Sequence, residues 1–300
     1  MIVRDEERNL HACLDDIAKL FDDIVVVDTG SRDGTPRLIR EVCNTDPLFF
    51  PIEEKNWFNK YEARNFGFAR LNADWILSLD ADERIDPAQI LNMRSVLGEG
   101  DADGFFTRWT TYQAGGEIAD YKLSVFRKDF RSSGLVHENV QQDMRLRGGR
   151  AVWTDLIHLR HFPDPGKIAF KRDFYKQRLQ RAIDVEPFWY RYHWFLGYAL
   201  FREGNPEAAE HWLQAAASAR SRRFPVESLN AHLVLAAIHA AHGQQEIVAR
   251  TLASARSFLG EVEDDFEVRI NFRLRPWIEK ASQACSRGRL QEIVVYEFCA

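Results

Sequence analysis

The sequence has 300 residues, 45% hydrophobic and 28% charged, which is ordinary globular composition. Its net charge of −5 argues against a nucleic-acid partner, and no apolar run approaches the length of a membrane span. The cysteines Cys13, Cys43, Cys285 and Cys299 form no CxxC pair and no zinc-type spacing, which fits a reducing cytoplasm, and the start shows no signal-peptide pattern.

Ile2-Val3 reads as the stub of a strand. Asp5-Glu6-Glu7 then offers a cap and an acidic first turn, and Leu10, Leu14, Ile17 and Phe21 mark one face of a helix, with Cys13 a buried thiol on it. Ile24-Val25-Val26-Val27 is wholly apolar and β-branched, as a strand buried on both faces of a parallel sheet requires. Asp28 to Gly34 is a polar turn, and Thr35-Pro36 places a cap and a first-turn proline at the next helix. Leu48-Phe49-Phe50 is a third strand. Asn59 caps a helix through Leu71, and Trp75-Ile76-Leu77-Ser78-Leu79 is a further strand ending in Asp80. This order predicts an α/β doubly wound open sheet with its ligand site beyond the carboxyl ends of the strands, where Asp28 and Asp80 stand.

From Gly104 to Leu159 shorter strand-like pieces, with turns at Gly115-Gly116 and Gly148-Gly149, predict an antiparallel extension. After Pro163-Asp164-Pro165-Gly166 the chain reads as helix throughout. Gly197, Gly204, Leu213 and Ala216 recur as Ala236, Gly243, Leu252 and Ala255 at a constant offset of 39. That period exceeds the usual tetratricopeptide length of ~34 residues, with an insertion near Arg220 to Pro225. The pattern predicts two tetratricopeptide-like hairpins; a plain helical bundle is the alternative. The expected domains are 1–165, carrying the chemistry, and 166–300, all-α.

The strongest chemical signal is Leu77-Ser78-Leu79-Asp80-Ala81-Asp82-Glu83. A buried strand emerges into two carboxylates spaced two apart, so both can point the same way. Carboxylate oxygens suit Mn²⁺ or Mg²⁺, which bridge carboxylates and substrate phosphates. The bland alternative is a capping Asp80 and a solvated turn. Asp28-Thr29-Gly30-Ser31-Arg32-Asp33-Gly34 is a second strand-end acid before a glycine-rich turn, able to accept bonds from a base or ribose while the glycines admit close backbone approach.

Here the chain resembles the family 2 glycosyltransferases, whose nucleotide-binding domain is of the GT-A type. The matching text is Met1-Ile2-Val3-Arg4-Asp5-Glu6-Glu7, Val27-Asp28-Thr29-Gly30-Ser31-Arg32-Asp33-Gly34-Thr35, Ala63-Arg64-Asn65-Phe66-Gly67 and Leu79-Asp80-Ala81-Asp82-Glu83, in family order and spacing. Gly134-Leu135-Val136-His137-Glu138 and the helical repeats resemble a subgroup that joins this domain to tetratricopeptide-like helices. Sublancin-type peptide S-glycosyltransferases and bacterial cell-surface-glycan enzymes belong to it. The resemblance implies a GT-A-like open mixed sheet with helices on both faces, followed by an all-α tetratricopeptide-like domain.

It also implies roles. Val3, Arg4 and Glu6 flank the base through their loop, Asp28 and Gly30 serve the nucleotide, and Arg64 lies near the diphosphate. Asp80, Ala81 and Asp82 hold ribose and a Mn²⁺ or Mg²⁺ ion, with Asp82 the principal ligand. Two departures stand out. The family's first strand begins several residues before Met-Ile-Val, so the start is expected to be truncated. The family's His-x-Gly-Tyr appears as His161-Phe162-Pro163-Asp164, where His161 is a metal or phosphate ligand or a structural strand-end histidine.

The expected function is metal-dependent, inverting transfer of a sugar from a nucleoside diphosphate sugar, UDP-linked, to a peptide, glycan or lipid-linked acceptor. Glu138 is the expected general base, with His137 its rival; the bland reading caps Glu138 or pairs it with Arg145 or Arg147. The protein is expected in the cytoplasm, peripheral at the inner membrane face for a lipid-linked acceptor. The helical part, opening on the aromatic stretch from Trp189 to Phe195, would serve acceptor recognition or a homodimer. Competing functions are a nucleotidyltransferase, which wants a glycine-rich cationic loop after the first strand, and a non-catalytic scaffold with a degenerate nucleotide-binding domain.

Overall fold

A computed structural model describes residues 1–52 and 60–298; the expected cap at Asn59 and Cys299 lie outside them. The chain divides into two compact units, Met1–Lys171 and Arg172–Phe298.

In the first unit β1 (Ile2–Val3), β2 (Val27–Asp28) and β3 (Leu48–Phe49) form a parallel sheet in the order β1-β2-β3, with Ile2 opposite Val27. Helices α1 (Glu7–Leu14), α2 (Thr35–Cys43) and α3 (Lys60–Phe68) alternate with these strands. The apolar run before Asp28 is explained by its neighbours on both faces. Val26 packs with Leu10, Leu38 and Ile39 of α1 and α2, whereas Val27 packs with Ala63 of α3. Of the expected strand, only Val27 and the following Asp28 are paired with β1, because β1 itself offers only Ile2 and Val3 to the ladder.

The second sheet comprises β4 (Trp75–Leu77), β5 (Glu83–Arg84), β6 (Gly104–Gln113), β7 (Gly116–Arg127) and β8 (Ala151–His161), ordered β4-β7-β6-β8-β5. Two expectations are corrected here. The strand before Asp80 does not join the first three; it pairs antiparallel with β7. The later region has the expected antiparallel pairing about the Gly115-Gly116 turn, but in long strands rather than short pieces, and it includes one parallel pair. Strands β6 and β7 form a hairpin of 10 and 12 residues, and β8 runs parallel to β6. Residues 128–150, carrying α5 (Gln141–Leu146), return the chain to the end where β6 began, so Ala151 starts opposite Gly104 and β8 follows the direction of β6. Helix α4 (Pro87–Val96), capped by the Asp86 carboxylate on the Ala88 N–H, sends Ile90 and Met93 into the core that holds Leu10, Leu14 and Leu79.

Helix α6 (Pro165–Val185) leads into the helical unit. There α7 (Tyr190–Arg202) and α8 (Pro206–Ser218) make one hairpin, and α9 (Pro225–Ala241) with α10 (Gln245–Glu261) the next. The repeat is physical. The Gly204 and Gly243 N–H groups close the first helix of each pair on the carbonyls of Phe201 and Ala240, both glycines at positive φ. A Cβ on Gly197 would meet Leu213 Cγ at 2.8 Å, so α7 and α8 approach too closely for a side chain there. Tyr190, Tyr192, Trp194 and Phe195 are buried, with Trp194 stacked on Tyr198 and against Phe298. Helices α11 (Phe266–Ile270) and α12 (Leu274–Ser286) complete the unit, α12 packing Ala281 and Ala284 against Val248 and Leu252. Among the described residues no helix is long and apolar enough to cross a membrane.

Candidate active site

The loops that leave β1 and β2 interlock. Asp5, at φ 53°, donates its N–H to Ser31 Oγ, and its carboxylate accepts from the Arg32 N–H. The Glu6 N–H donates to Thr35 Oγ1, and Glu7 accepts from the Gly34 N–H at the start of α2. The side chain of Glu7 therefore serves the fold, while Glu6 stands at the loop with its carboxylate bonded to Asn9. Val3 is buried and its carbonyl accepts both the N–H and the hydroxyl of Thr29. Arg4 reaches across to the Ile52 carbonyl. Asp28 is buried and folds the turn by accepting the N–H groups of Gly30 and Ser31 at 2.9 and 2.8 Å. Gly30 takes φ 112° and has open space where a Cβ would stand.

A second cluster forms where Asp80 follows β4. Arg64 on α3 bonds Asp80 Oδ1 through Nη2 at 3.0 Å and Glu138 Oε1 through Nε at 3.3 Å. Lys122 on β7 bonds Asp80 Oδ2 at 3.0 Å and Glu83 Oε1 at 2.6 Å. Glu83 is 1% exposed and accepts three further or shared donors, Lys122, the Trp109 indole and the Asp80 N–H, so it anchors the turn from below. The Asp80 side chain keeps 35% of its surface open and remains reachable. Burial pushes its carboxyl up, but the Lys122 and Arg64 charges outweigh that and hold it well below the usual carboxylate range. The same pairing pushes the Lys122 ammonium and the Arg64 guanidinium up against the opposing effect of burial.

Sequence reading missed Lys122, Glu83 and Trp109. Lys122 and Trp109 lie on the β6–β7 hairpin, and only its pairing with β4 brings them near Asp80. The available signal was Glu83: an acid after a buried strand, in a sequence where that strand end already carries Asp80 and Asp82, calls for a cation.

Asp82 faces the opposite way, towards β8. His161 Nε2 lies 3.4 Å from Asp82 Oδ2, and His161 Nδ1 is 2.9 Å from Thr111 Oγ1. The imidazole also stacks on Trp109, with ring centroids 4.8 Å apart, so its orientation is fixed from two sides. Burial raises the Asp82 carboxyl, but the hydrogen bond from and the charge of His161 bring it below its ordinary value. Ala81 between the two acids is buried, and its carbonyl accepts from Arg84. Among the described residues no three His, Cys, Asp or Glu side chains converge on one point. Asp80, expected with Asp82 and His161 among the metal ligands, accepts from Arg64 and Lys122.

The loop carrying His137 and Glu138 is fastened by α3. Asn65 accepts the Ser132 N–H and donates to the Ser132 carbonyl, and Ser133 and Asn139 pair across the loop. Gly134 and His137 both take positive φ, so the segment is a tight bend rather than the extended strand in which neighbours alternate. This explains the Ala63-Arg64-Asn65-Phe66-Gly67 run. Ala63 and Gly67 let α3 lie on β2, where a Cβ on Gly67 would meet Val27 Cγ2 at 2.9 Å. Arg64 enters the acidic cluster and Asn65 holds the Glu138 loop. Glu138 faces Arg64, and Arg147 bonds Asp129 and Asp143 instead.

Residues 1–149 match the family model described as Glycosyl transferase family 2. A TPR repeat-containing protein of Synechococcus elongatus is 31% identical over 233 residues, 71% of this chain and 54% of that protein. The lipopolysaccharide core biosynthesis glycosyltransferase LpsC of Rhizobium meliloti is 32% identical over 148 residues, 49% of this chain and 48% of that protein. The chain thus spans about half the length of the curated relatives it matches. Among solved structures, S. aureus TarS 1-349 with UDP gives a TM-score of 0.47 at 14% identity, covering 94% of this chain and 89% of that one. Its complex with UDP-GlcNAc gives 0.49 at 13% identity, covering 94% and 90%. Through residues 1–149, the chain belongs to glycosyl transferase family 2.

Proposed function

We propose that this chain transfers a sugar from a nucleoside diphosphate sugar, UDP-linked, to a peptide, glycan or lipid-linked acceptor with inversion at the anomeric carbon. The observation that carries the reading is Arg64, which bridges Asp80 and Glu138 inside a family 2 domain. A guanidinium so placed can exchange carboxylate partners for a diphosphate with bidentate geometry. In this reading Asp28 and Gly30 line the nucleotide, with Arg4 and Glu6 on the neighbouring loop, and Asp80 takes the ribose.

The donor set for a metal is a carboxylate and an imidazole, Asp82 and His161, whose ligating atoms already lie 3.4 Å apart. Such a pair suits an ion that takes its remaining ligands from phosphate and water. A Mn²⁺ or Mg²⁺ ion held there would neutralise charge on the departing diphosphate. The protein's own steps are these. Glu138 takes the proton as the acceptor oxygen, nitrogen or sulfur bonds to the anomeric carbon. The bond from that carbon to the diphosphate oxygen breaks, and its electron pair leaves with the diphosphate. Because Arg64 holds Glu138, recruitment of the guanidinium by the diphosphate frees the base, which makes the donor the first substrate to bind.

The reading assigns chemistry to residues 1–165 and acceptor recognition or dimerisation to 166–300, whose aromatic stretch is mostly packing. It places the work in the cytoplasm, at the inner membrane face for a lipid-linked acceptor; Cys13, Cys43 and Cys285 are unpaired thiols. A hydrolysis screen of nucleotide sugars with and without divalent metal tests it: slow cleavage of one UDP-sugar, abolished by EDTA, is the expected result. No cleavage of any donor and no binding of UDP would overturn it.

A further inference from the structure

The first helices of the repeats share an ending. Gly204, Gly243 and Gly288 close α7, α9 and α12, each donating its N–H to the carbonyl three residues back. Each takes a positive φ, so the chain leaves the helix by the same turn. After α7 and α9 a second helix follows. After α12 the chain makes a 3-10 turn at Leu290–Glu292, and residues 293–298 run on with neither helix nor strand. Ile293 enters the core with Ala236 and Ala240 of α9, and Phe298 reaches α7, so the segment lies across the first helices of the repeats.

The side chains that hold this segment are spaced four apart. On α7, Trp194, Tyr198 and Arg202 form one stripe, and Arg273 and Trp277 form another at the start of α12. The Tyr198 hydroxyl accepts the Phe298 N–H at 2.9 Å and donates to the Phe298 carbonyl at 3.3 Å. The Trp277 indole donates to the Val294 carbonyl at 2.9 Å. These bonds meet backbone groups that any peptide offers. Selectivity lies in the side chains. Phe298 is 6% exposed and stands edge-on to Trp194 and Tyr198, with ring centroids 5.4 and 5.2 Å away. The Arg273 guanidinium lies 4.8 Å over the Tyr296 ring, and Arg202 pairs with Glu297. Val294, by contrast, is exposed, and the Arg202–Glu297 pair is about half open to solvent.

We propose that α7 and α12 present a docking site for a peptide of the pattern aromatic–acid–aromatic, and that residues 294–298 are its resident occupant, which a partner's segment of that pattern displaces. The resident defines the chemistry of the partner: a ring for Trp194 and Tyr198, an acid for Arg202 and a second ring for Arg273. A partner peptide competes with a segment held at high effective concentration. Its apparent affinity falls with the fraction of chains whose site is open, so the hold on the resident sets when the site can be used. The site is argued from the helical unit alone and stands whether or not the sugar-transfer reading does.

The test uses the full chain and a labelled, end-blocked peptide, Ile-Val-Val-Tyr-Glu-Phe, with binding read by fluorescence anisotropy. Tyr296→Ala and Phe298→Ala together loosen the resident and leave the stripes on α7 and α12 in place; circular dichroism checks the fold. Glu297→Arg loosens it from an exposed position, and decides the matter if the double variant fails to fold. The double variant is expected to bind the peptide at least roughly tenfold more tightly than the wild type. A peptide with alanine for both rings is expected not to bind. Glu297→Arg is expected to improve binding roughly two- to fivefold, the scale of an exposed ion pair. Added to the double variant, Arg202→Glu should weaken this peptide and strengthen Ile-Val-Val-Tyr-Lys-Phe, a reversal that a packing role would not produce. Equal affinity in the wild type and the loosened chains, or equal binding of the alanine peptide, would overturn the proposal. So would a wild-type dimer, seen by light scattering, that Phe298→Ala dissociates, because the segment would then dock on a neighbouring copy.

Discussion

His161 Nε2 lies 3.4 Å from the Asp82 carboxylate, and its other ring nitrogen is held by Thr111. The pair joins the turn after β4 to the end of β8 and brings a carboxylate and an imidazole together. Asp82→Asn and His161→Ala are expected to lower sugar transfer by at least roughly 10- to 100-fold, the loss that weaker outer-sphere partners of a metal alone produce. Circular dichroism should stay native in both. Wild-type rates for Asp82→Asn in saturating metal would contradict the assignment.

Glu138→Gln should leave UDP affinity near wild type while transfer falls by roughly 100- to 10,000-fold, the usual contribution of a positioned base. His137→Ala should affect transfer far less. If the two variants lose transfer equally, His137 has to be given a direct part. Arg64→Lys keeps the charge but loses the fork, so it should weaken UDP binding and abolish strict donor-before-acceptor order in initial-rate kinetics.

Lys122→Met tests the buried anchor. It leaves Glu83, 1% exposed, with a charge that only the Trp109 indole and the Asp80 N–H still meet. Breaking a buried pair this way costs on the order of 3 kcal/mol. The pH dependence has a definite sign. Lys122 and Arg64 hold the Asp80 carboxyl well below its ordinary 3.8, so this pairing stabilises the fold fully above about pH 5 and is lost as pH falls through the acid range. In Lys122→Met that acid-range dependence should shrink, measured as the slope of unfolding free energy between about pH 2 and 5. An unchanged slope would show that Lys122 is not what depresses Asp80.

In the helical unit Gly197→Ala pushes a methyl to within 2.8 Å of Leu213 and should destabilise by about 1–3 kcal/mol. Donor hydrolysis at permissive temperature should persist. A rise in Tm would mean that α7 and α8 have room the packing does not show.

Much of this was legible in the residues. Ile24-Val25-Val26-Val27 before Asp28, and Trp75 to Leu79 before Asp80, announced strands whose ends carry the acids. The 39-residue offset announced two hairpins, because Gly204 and Gly243 close the same turn. The parts not legible depend on pairing across long separations. Nothing local to Lys122 says that β7 lies against β4, and nothing local to Ala151 says that β8 runs parallel to β6. Glu138 was readable as an acid beside a histidine, but its partner Arg64 comes from a helix folded onto β2, not from the nearby Arg145 or Arg147 of the bland reading.

Calorimetric titration of UDP into the wild-type chain and Asp82→Asn, each in Mn²⁺ and in excess EDTA, tests the central claim most directly. The account predicts binding by the wild type in Mn²⁺ that weakens at least roughly tenfold in EDTA, with the variant weak in both. UDP binding by the wild type that is equally tight with and without metal, and unchanged by Asp82→Asn, would contradict it.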